Sequence, residues 1–264
     1  MFKRYGLLLF IIVSCSKKES RPSYISIKSN NDSIYVNLIN PIISTAFLKI
    51  ENKVTNQTQF LDFTKPDTLT ILKFHNTKID TSDIFKNYSF KLNFGASSIK
   101  TYDSLYNYDL PFSKGKRYRV LQQQNGSFTH FGPVSRYAMD FKMQIGEQVH
   151  AIREGIVVFV KNDSDEGGSS DKYKPKANST LIYHDDGTFS QYAHFKLNGI
   201  IVKEGDTITK GQLIGYSGNT GQSTEPHLHF VLYKPTKNGL QSIPYILDSI
   251  PSTKYKTGKI ATNN

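Results

Sequence analysis

The chain has 264 residues, a formal net charge of +11, one cysteine and no tryptophan. A single cysteine excludes a disulfide within the chain, and the length allows one large domain or two modest ones, each able to bury a core. With 16 Tyr and 17 Phe, abundant strand and turn formers and no long helical periodicity, the composition predicts an all-β protein.

The chain begins with Lys3 and Arg4, then an apolar run from Gly6 to Val13, then Ile12-Val13-Ser14-Cys15. This pattern predicts a signal peptide over residues 1–15, and the last quartet resembles a bacterial lipobox, whose cysteine is acylated. The apolar run is well short of the roughly 20 residues that span a bilayer. An ordinary secretory signal or a short membrane anchor is the alternative. Cys15 is thus the expected lipid attachment point, and the expected location is the cell envelope, with the protein lipid-anchored to a bacterial membrane and facing the periplasm or the surface. Loss of Lys3 and Arg4 with an acid-free leader leaves +9 on the mature chain. Export argues against nucleic acid as a partner and fits anionic envelope polymers or lipid head groups, with scattered solvated lysines as the plainer account.

Residues 16–22 read as a polar tether. From 23 to 110 come short alternating runs, among them Ile34-Tyr35-Val36-Asn37-Leu38-Ile39 and Tyr88-Ser89-Phe90-Lys91-Leu92-Asn93-Phe94, separated by Asn-, Asp-, Ser- and Pro-rich turns. They predict a small, immunoglobulin-like β-sandwich. His75 stands alone there, so a spacer or adaptor role is expected. Residues 111–117 read as a linker punctuated by Pro111 and Gly115.

A second domain is predicted over 118–235. Glycines recur at turn positions, and Ile156-Val157-Val158-Phe159-Val160 reads as a strand buried on both faces. Asp185-Asp186-Gly187 between two strand-like runs predicts a hairpin. The polar stretch 162–178 predicts a mobile surface loop. Residues 236–264 read as a tail, with Tyr245-Ile246-Leu247 able to dock and the last residues disordered. Gly146-Glu147-Gln148-Val149 is echoed by Gly205-Asp206-Thr207-Ile208, a pairing also found in carrier-type barrels that do no chemistry.

The chemistry-bearing residues lie in this second half. In His227-Leu228-His229-Phe230, alternation puts Leu228, Phe230 and Leu232 on a core face and His227 with His229 on the other. His194 ends Gln191-Tyr192-Ala193-His194. Asp140, between Met139 and Phe141, is costly to bury alone. Its partner is a cation or, alternatively, Arg136 or Arg153.

Tyr192-Ala193-His194, Gly205-Asp206, Lys210-Gly211-Gln212-Leu213-Ile214-Gly215, Ser217-Gly218-Asn219-Thr220-Gly221 and Pro226-His227-Leu228-His229-Phe230 occur in that order. Together they resemble the lysostaphin/LytM-type zinc endopeptidases that cut peptidoglycan cross-links, over roughly residues 118–233. The resemblance implies an antiparallel β peptidase domain, Zn2+ as cofactor, Asp140 and His229 as metal ligands, and His194 and His227 as catalytic residues. One position departs. Arg136 stands where the family's first ligand, a His four residues before the Asp, is usual. A subgroup of similar envelope proteins carries a Ser/Thr-His ahead of a Tyr-Ala-x-Asp-Phe run, which implies His130 as the third ligand, with His150 in reserve. His184 is expected to be structural.

Two histidines and an aspartate leave a fourth tetrahedral position open, as a catalytic zinc requires. No His-Glu-x-x-His helix is present, so proton transfer falls to histidine. The expected roles are His227 as base or orienter of a water and His194 as stabiliser of the oxyanion, and these are interchangeable. The expected substrates are the peptide stems or bridges of peptidoglycan. The alternative is a non-catalytic relative that binds peptidoglycan or activates a cell-wall amidase.

Overall fold

Short alternating runs with turn-forming residues between them pair as antiparallel strands through most of the chain. The computed structural model describes residues 24–75, 80–99, 101–126 and 129–264, so the expected leader, tether and Cys15 lie outside the described residues. The chain is all-β in class and divides into two compact units, one of residues 24–99 with 235–240, the other of residues 101–234 with 241–264.

The first unit contains two three-stranded antiparallel sheets. One orders Ile25–Ser29, Ser33–Asn40 and Asp67–His75, the other Gln57–Phe63, Ala46–Asn52 and Tyr88–Phe94. Alternation turns Ile34, Val36 and Leu38 of the first sheet inward to join Leu48, Ile50 and Phe90 of the second in one buried cluster. Among the described residues of this unit, one helical segment, Thr81–Asn87, joins it through Ile84. Its start is fixed by Asp80, whose carboxylate accepts the backbone N–H of Ser82 at 2.8 Å. The strand-dominated pattern of this half did not predict that turn.

The second unit is built on a long antiparallel sheet. Its order is Thr207–Ile208, Gly155–Lys161, Asn178–Tyr183, Phe189–Ile200, Leu228–Thr236, Met139–Phe141, Arg117–Gln122 and Ile260–Thr262. The Asp185-Asp186-Gly187 turn closes the predicted hairpin, with Tyr183 opposite Phe189. Leu228, Phe230 and Leu232 are buried as their alternation predicts, but Val231 and Tyr233 are buried as well. Both faces of that central strand are therefore covered beyond His229.

The boundaries read from composition do not coincide with the packing. Leu110 and Phe112, at the expected linker, and Tyr245, Leu247, Tyr255 and Ala261, in the expected tail, all belong to the buried cluster of the second unit. Ile260–Thr262, expected to be disordered, pairs with Arg117–Gln122. The physical reason is the aromatic content of these stretches. Tyr245 sits edge-on to Phe230 at 5.3 Å, and Phe112 to Phe141 at 5.5 Å, contacts that bury large rings whatever the polarity of their sequence neighbours.

Candidate metal centre

Three adjacent strands bring the predicted residues together. His229 lies opposite Asp140 on one side and opposite Ala193 on the other, so Asp140 and His229 face each other, and His194 follows Ala193 where that pairing ends. His194 itself has φ +69°, a left-handed conformation that costs a non-glycine residue energy and marks functional sites. The strand register slips between Phe195 and Ile200. His227 enters just before its strand, bridged to Gly218.

His130 comes from farther away, carried by a turn that folds back onto the sheet. Gln122 Nε2 donates to Thr129 Oγ1 at 2.7 Å, Ser135 Oγ donates to the Thr129 carbonyl at 2.8 Å, and the Asn125 N–H reaches the Arg136 carbonyl at 2.7 Å. His130 ends fully buried, its ring 5.2 Å from that of His229.

The ring nitrogens are sorted by their outer partners. His130 Nδ1 donates to the Gln123 carbonyl at 3.0 Å, which leaves Nε2 facing Asp140 Oδ2 at 3.3 Å. That Nε2 is buried without a hydrogen-bond partner. A ring nitrogen that faces a carboxylate oxygen at this distance needs a proton or a metal cation between the two. His229 turns Nδ1 to Asp140 Oδ1 at 2.8 Å. The donor atoms of His130, Asp140 and His229 all lie within 4.8 Å of one another. Two imidazoles and a carboxylate, with an orphaned nitrogen among them, are a donor set that fits zinc.

Burial on its own would raise the Asp140 carboxyl, but the adjoining His130 and His229 rings pull it well below the usual carboxylate range. Burial pushes His229 down, partly opposed by Asp140. Arg153, an alternative partner for Asp140, is instead committed to Asp185 and Asp186, at 2.7 Å from the latter.

His194 and His227 stand beside this cluster with ring centroids 4.5 Å apart, and His194 is 5.8 Å from His229. His194 Nδ1 donates to the Thr220 carbonyl at 2.6 Å, and His227 Nδ1 to the Glu225 carbonyl at 2.8 Å. Both rings, when neutral, therefore keep an unprotonated Nε2. His227 Nε2 is 3.9 Å from Asp140 Oδ1. Burial and the two neighbouring rings push His194 down to about 3, so it is neutral at physiological pH. Asn and Thr side chains around these carbonyls were not singled out by sequence, although Thr220 lies in the Ser217–Gly221 run that was.

Two other histidines of the second unit lie outside the cluster. His150 sits between the Gly211 carbonyl at 2.8 Å and Ser113 Oγ at 3.0 Å. His184 is buried between the Glu154 carbonyl at 2.7 Å and Ser190 Oγ at 3.0 Å, a structural arrangement.

The sequence profile of Peptidase family M23 matches residues 134–242, a span that includes Asp140, His194, His227 and His229 but not His130. Peptidoglycan DD-endopeptidase ShyA of Vibrio cholerae is 39% identical over 93 residues, 35% of this chain and 19% of that protein. Lysostaphin of Staphylococcus simulans is 39% identical over 94 residues, 36% of this chain and 17% of that protein. The chain thus spans about a fifth of the length of these relatives. Among solved structures, the catalytic domain of lysostaphin from Staphylococcus simulans is 30% identical, covering 48% of this chain and 87% of that one, with a TM-score of 0.35.

Proposed function

The chain belongs to peptidase family M23 through residues 134–242, and from that premise we propose that it is a zinc-dependent metalloendopeptidase that hydrolyses peptide bonds of cell-wall peptidoglycan. The observation that carries the proposal is the convergence of His130 Nε2, the Asp140 carboxylate and His229 Nδ1, with two further imidazoles alongside. The name of ShyA, a peptidoglycan DD-endopeptidase, supports peptidoglycan peptides, its stems or bridges, as the substrate class.

His130, Asp140 and His229 would hold the zinc ion. When bound, zinc polarises a peptide carbonyl and brings the acidity of water toward neutrality. The remaining steps belong to the chain. His227 Nε2, close to the ligand cluster, accepts a proton from the attacking water. The imidazolium so formed is a donor, and it returns the proton to the departing amine. His194, neutral and turned by Thr220, offers Nε2 to the same water and fixes its direction. Its expected oxyanion role requires a proton on Nε2, so in this reading the two histidines share the work of handling the water.

The test is zinc content of the purified protein together with release of peptides from isolated sacculi. Bound zinc and peptide release support the proposal. A protein that binds sacculi, takes up no zinc and cuts nothing would instead be a wall-binding module or an activator of an amidase. The envelope location and lipid attachment at Cys15 are part of the same proposal, and Cys15→Ala should shift the protein from the membrane fraction to the soluble one.

A further inference from the structure

The stretch 162–177 carries none of the site's chemistry, yet it is fastened to the segment that orients two of the site's histidines. Gly167–Gly168 pairs in parallel with Gly221–Gln222. The Gly221 N–H donates to the Glu166 carbonyl at 2.8 Å and the Ser223 N–H to the Gly168 carbonyl at 3.1 Å. Gln222 Nε2 adds bonds to the Ser169 carbonyl at 3.2 Å and Asp171 Oδ1 at 2.8 Å. The approach is close enough to exclude side chains. A Cβ at Gly167 would fall 2.1 Å from the Asn219 carbonyl oxygen, and one at Gly221 2.4 Å from Ala177 Cβ.

At the base of this stretch sits Asn178, fully buried. Its Oδ1 accepts the Ser164 N–H at 3.0 Å, and its Nδ2 donates to the Ser164 carbonyl at 2.7 Å and to the carbonyls of Lys196 at 3.2 Å and Phe195 at 3.3 Å. Its own N–H donates to Thr220 Oγ1 at 3.0 Å, and that hydroxyl donates to the Phe195 carbonyl at 2.7 Å. The Thr220 carbonyl then receives His194 Nδ1, and Ser223 Oγ lies 3.1 Å from His227 Nδ1. The same short segment, 220–223, thus faces the chain interior toward both histidines and the 162–177 stretch on its other edge.

We propose that residues 162–177 act as a strap that sets the tautomer of His194 and steadies His227, with Asn178 and Thr220 as its positioning residues; this rests on the functional reading above. A backbone carbonyl only accepts, so a fixed Thr220 carbonyl holds the His194 proton on Nδ1 and leaves Nε2 able to accept from water. If the segment drifts, the ring takes the other tautomer as well and presents an N–H where a lone pair is needed. The strap contributes no atom to the reaction, but it decides which nitrogen meets the substrate side.

The experiment compares Thr220→Val, which removes the hydroxyl at constant shape, with Thr220→Ser, which restores it, in the zinc-loaded full chain. The Val variant should lose 10- to 100-fold in kcat, roughly the usual effect of removing an outer hydrogen-bond partner, with KM and zinc content unchanged, and Ser should recover most of the loss. Nitrogen-15 spectra of the imidazoles provide a readout that does not need turnover. Wild type should show a single Nδ1–H tautomer for His194, and the Val variant a mixture. Gly167→Ala, which wedges the strap from its far side, should give the same spectral change. A single tautomer in both Val and Ala variants would overturn the proposal, as would a Ser variant as impaired as Val. A wild type that never cleaves peptidoglycan would sink the functional reading while the tautomer spectra still decide the strap.

Discussion

Asp140 and His229 stand directly opposite one another across an antiparallel strand pair, and their side chains meet with His229 Nδ1 2.8 Å from Asp140 Oδ1. Facing positions in such a pair are held at a separation set by the backbone, not by the side chains. The sheet therefore builds two of three donors in place, and only the third has to be brought in by a turn.

That third donor gives the first prediction. His130→Ala removes a fully buried ring whose Nε2 has no other partner. Dialysed protein carrying this change should hold little zinc and cut no peptidoglycan, matching His229→Ala. Retention of stoichiometric zinc by His130→Ala, measured by atomic emission, would mean that another group fills the corner.

A different outcome is expected for His194→Ala. This ring faces the cluster but its bond goes to the Thr220 carbonyl, so zinc content should match wild type. Hydrolysis should fall by roughly 10²- to 10⁴-fold, the range for losing a positioned proton-transfer group. Loss of metal along with activity would place His194 among the ligands.

Acid stability should depend on His184. Burial pushes this ring down to about 4 from 6.5, partly opposed by its bond to the Glu154 carbonyl. The unfolded chain takes up a proton below 6.5 and the folded chain does not, so stability is full above 6.5 and is lost as pH falls toward 4. Between about pH 7.5 and 5 the loss should be about 2 kcal/mol. Urea unfolding of His184→Gln should show a pH slope smaller by about that amount. Equal slopes would assign the acid sensitivity elsewhere.

The C-terminal stretch should behave as core. Tyr255 is 2% exposed and its hydroxyl donates to the Leu247 carbonyl at 3.3 Å. Tyr255→Ala should cost about 3–5 kcal/mol, as for other large buried rings. A change below about 0.5 kcal/mol, typical of surface sites, would show that residues beyond 241 are dispensable.

Much of this was legible in the chain itself. The alternation in His227–Tyr233 placed Leu228 and Phe230 inward and His229 on the other face, and the order of the glycine- and histidine-bearing runs pointed to the family. The docking of Tyr245-Ile246-Leu247 was legible, but the burial of Phe112, beside Pro111, and of Tyr255, between Lys254 and Lys256, was not. Periodicity weighs neighbours, whereas burial depends on what lies across the fold.

The sequence by itself determined the all-β class and the types of donor available, since each follows from local pattern and side-chain chemistry, whereas Asp140 and His229 entered as ligand candidates through the resemblance to a family. Only the tertiary structure decided that His130 reaches the cluster from ten positions upstream, and which nitrogen each ring presents. For His130, His194 and His227 the nitrogen is chosen by backbone carbonyls, of Gln123, Thr220 and Glu225. Every residue type carries the same carbonyl, so residue identity cannot encode where it will point.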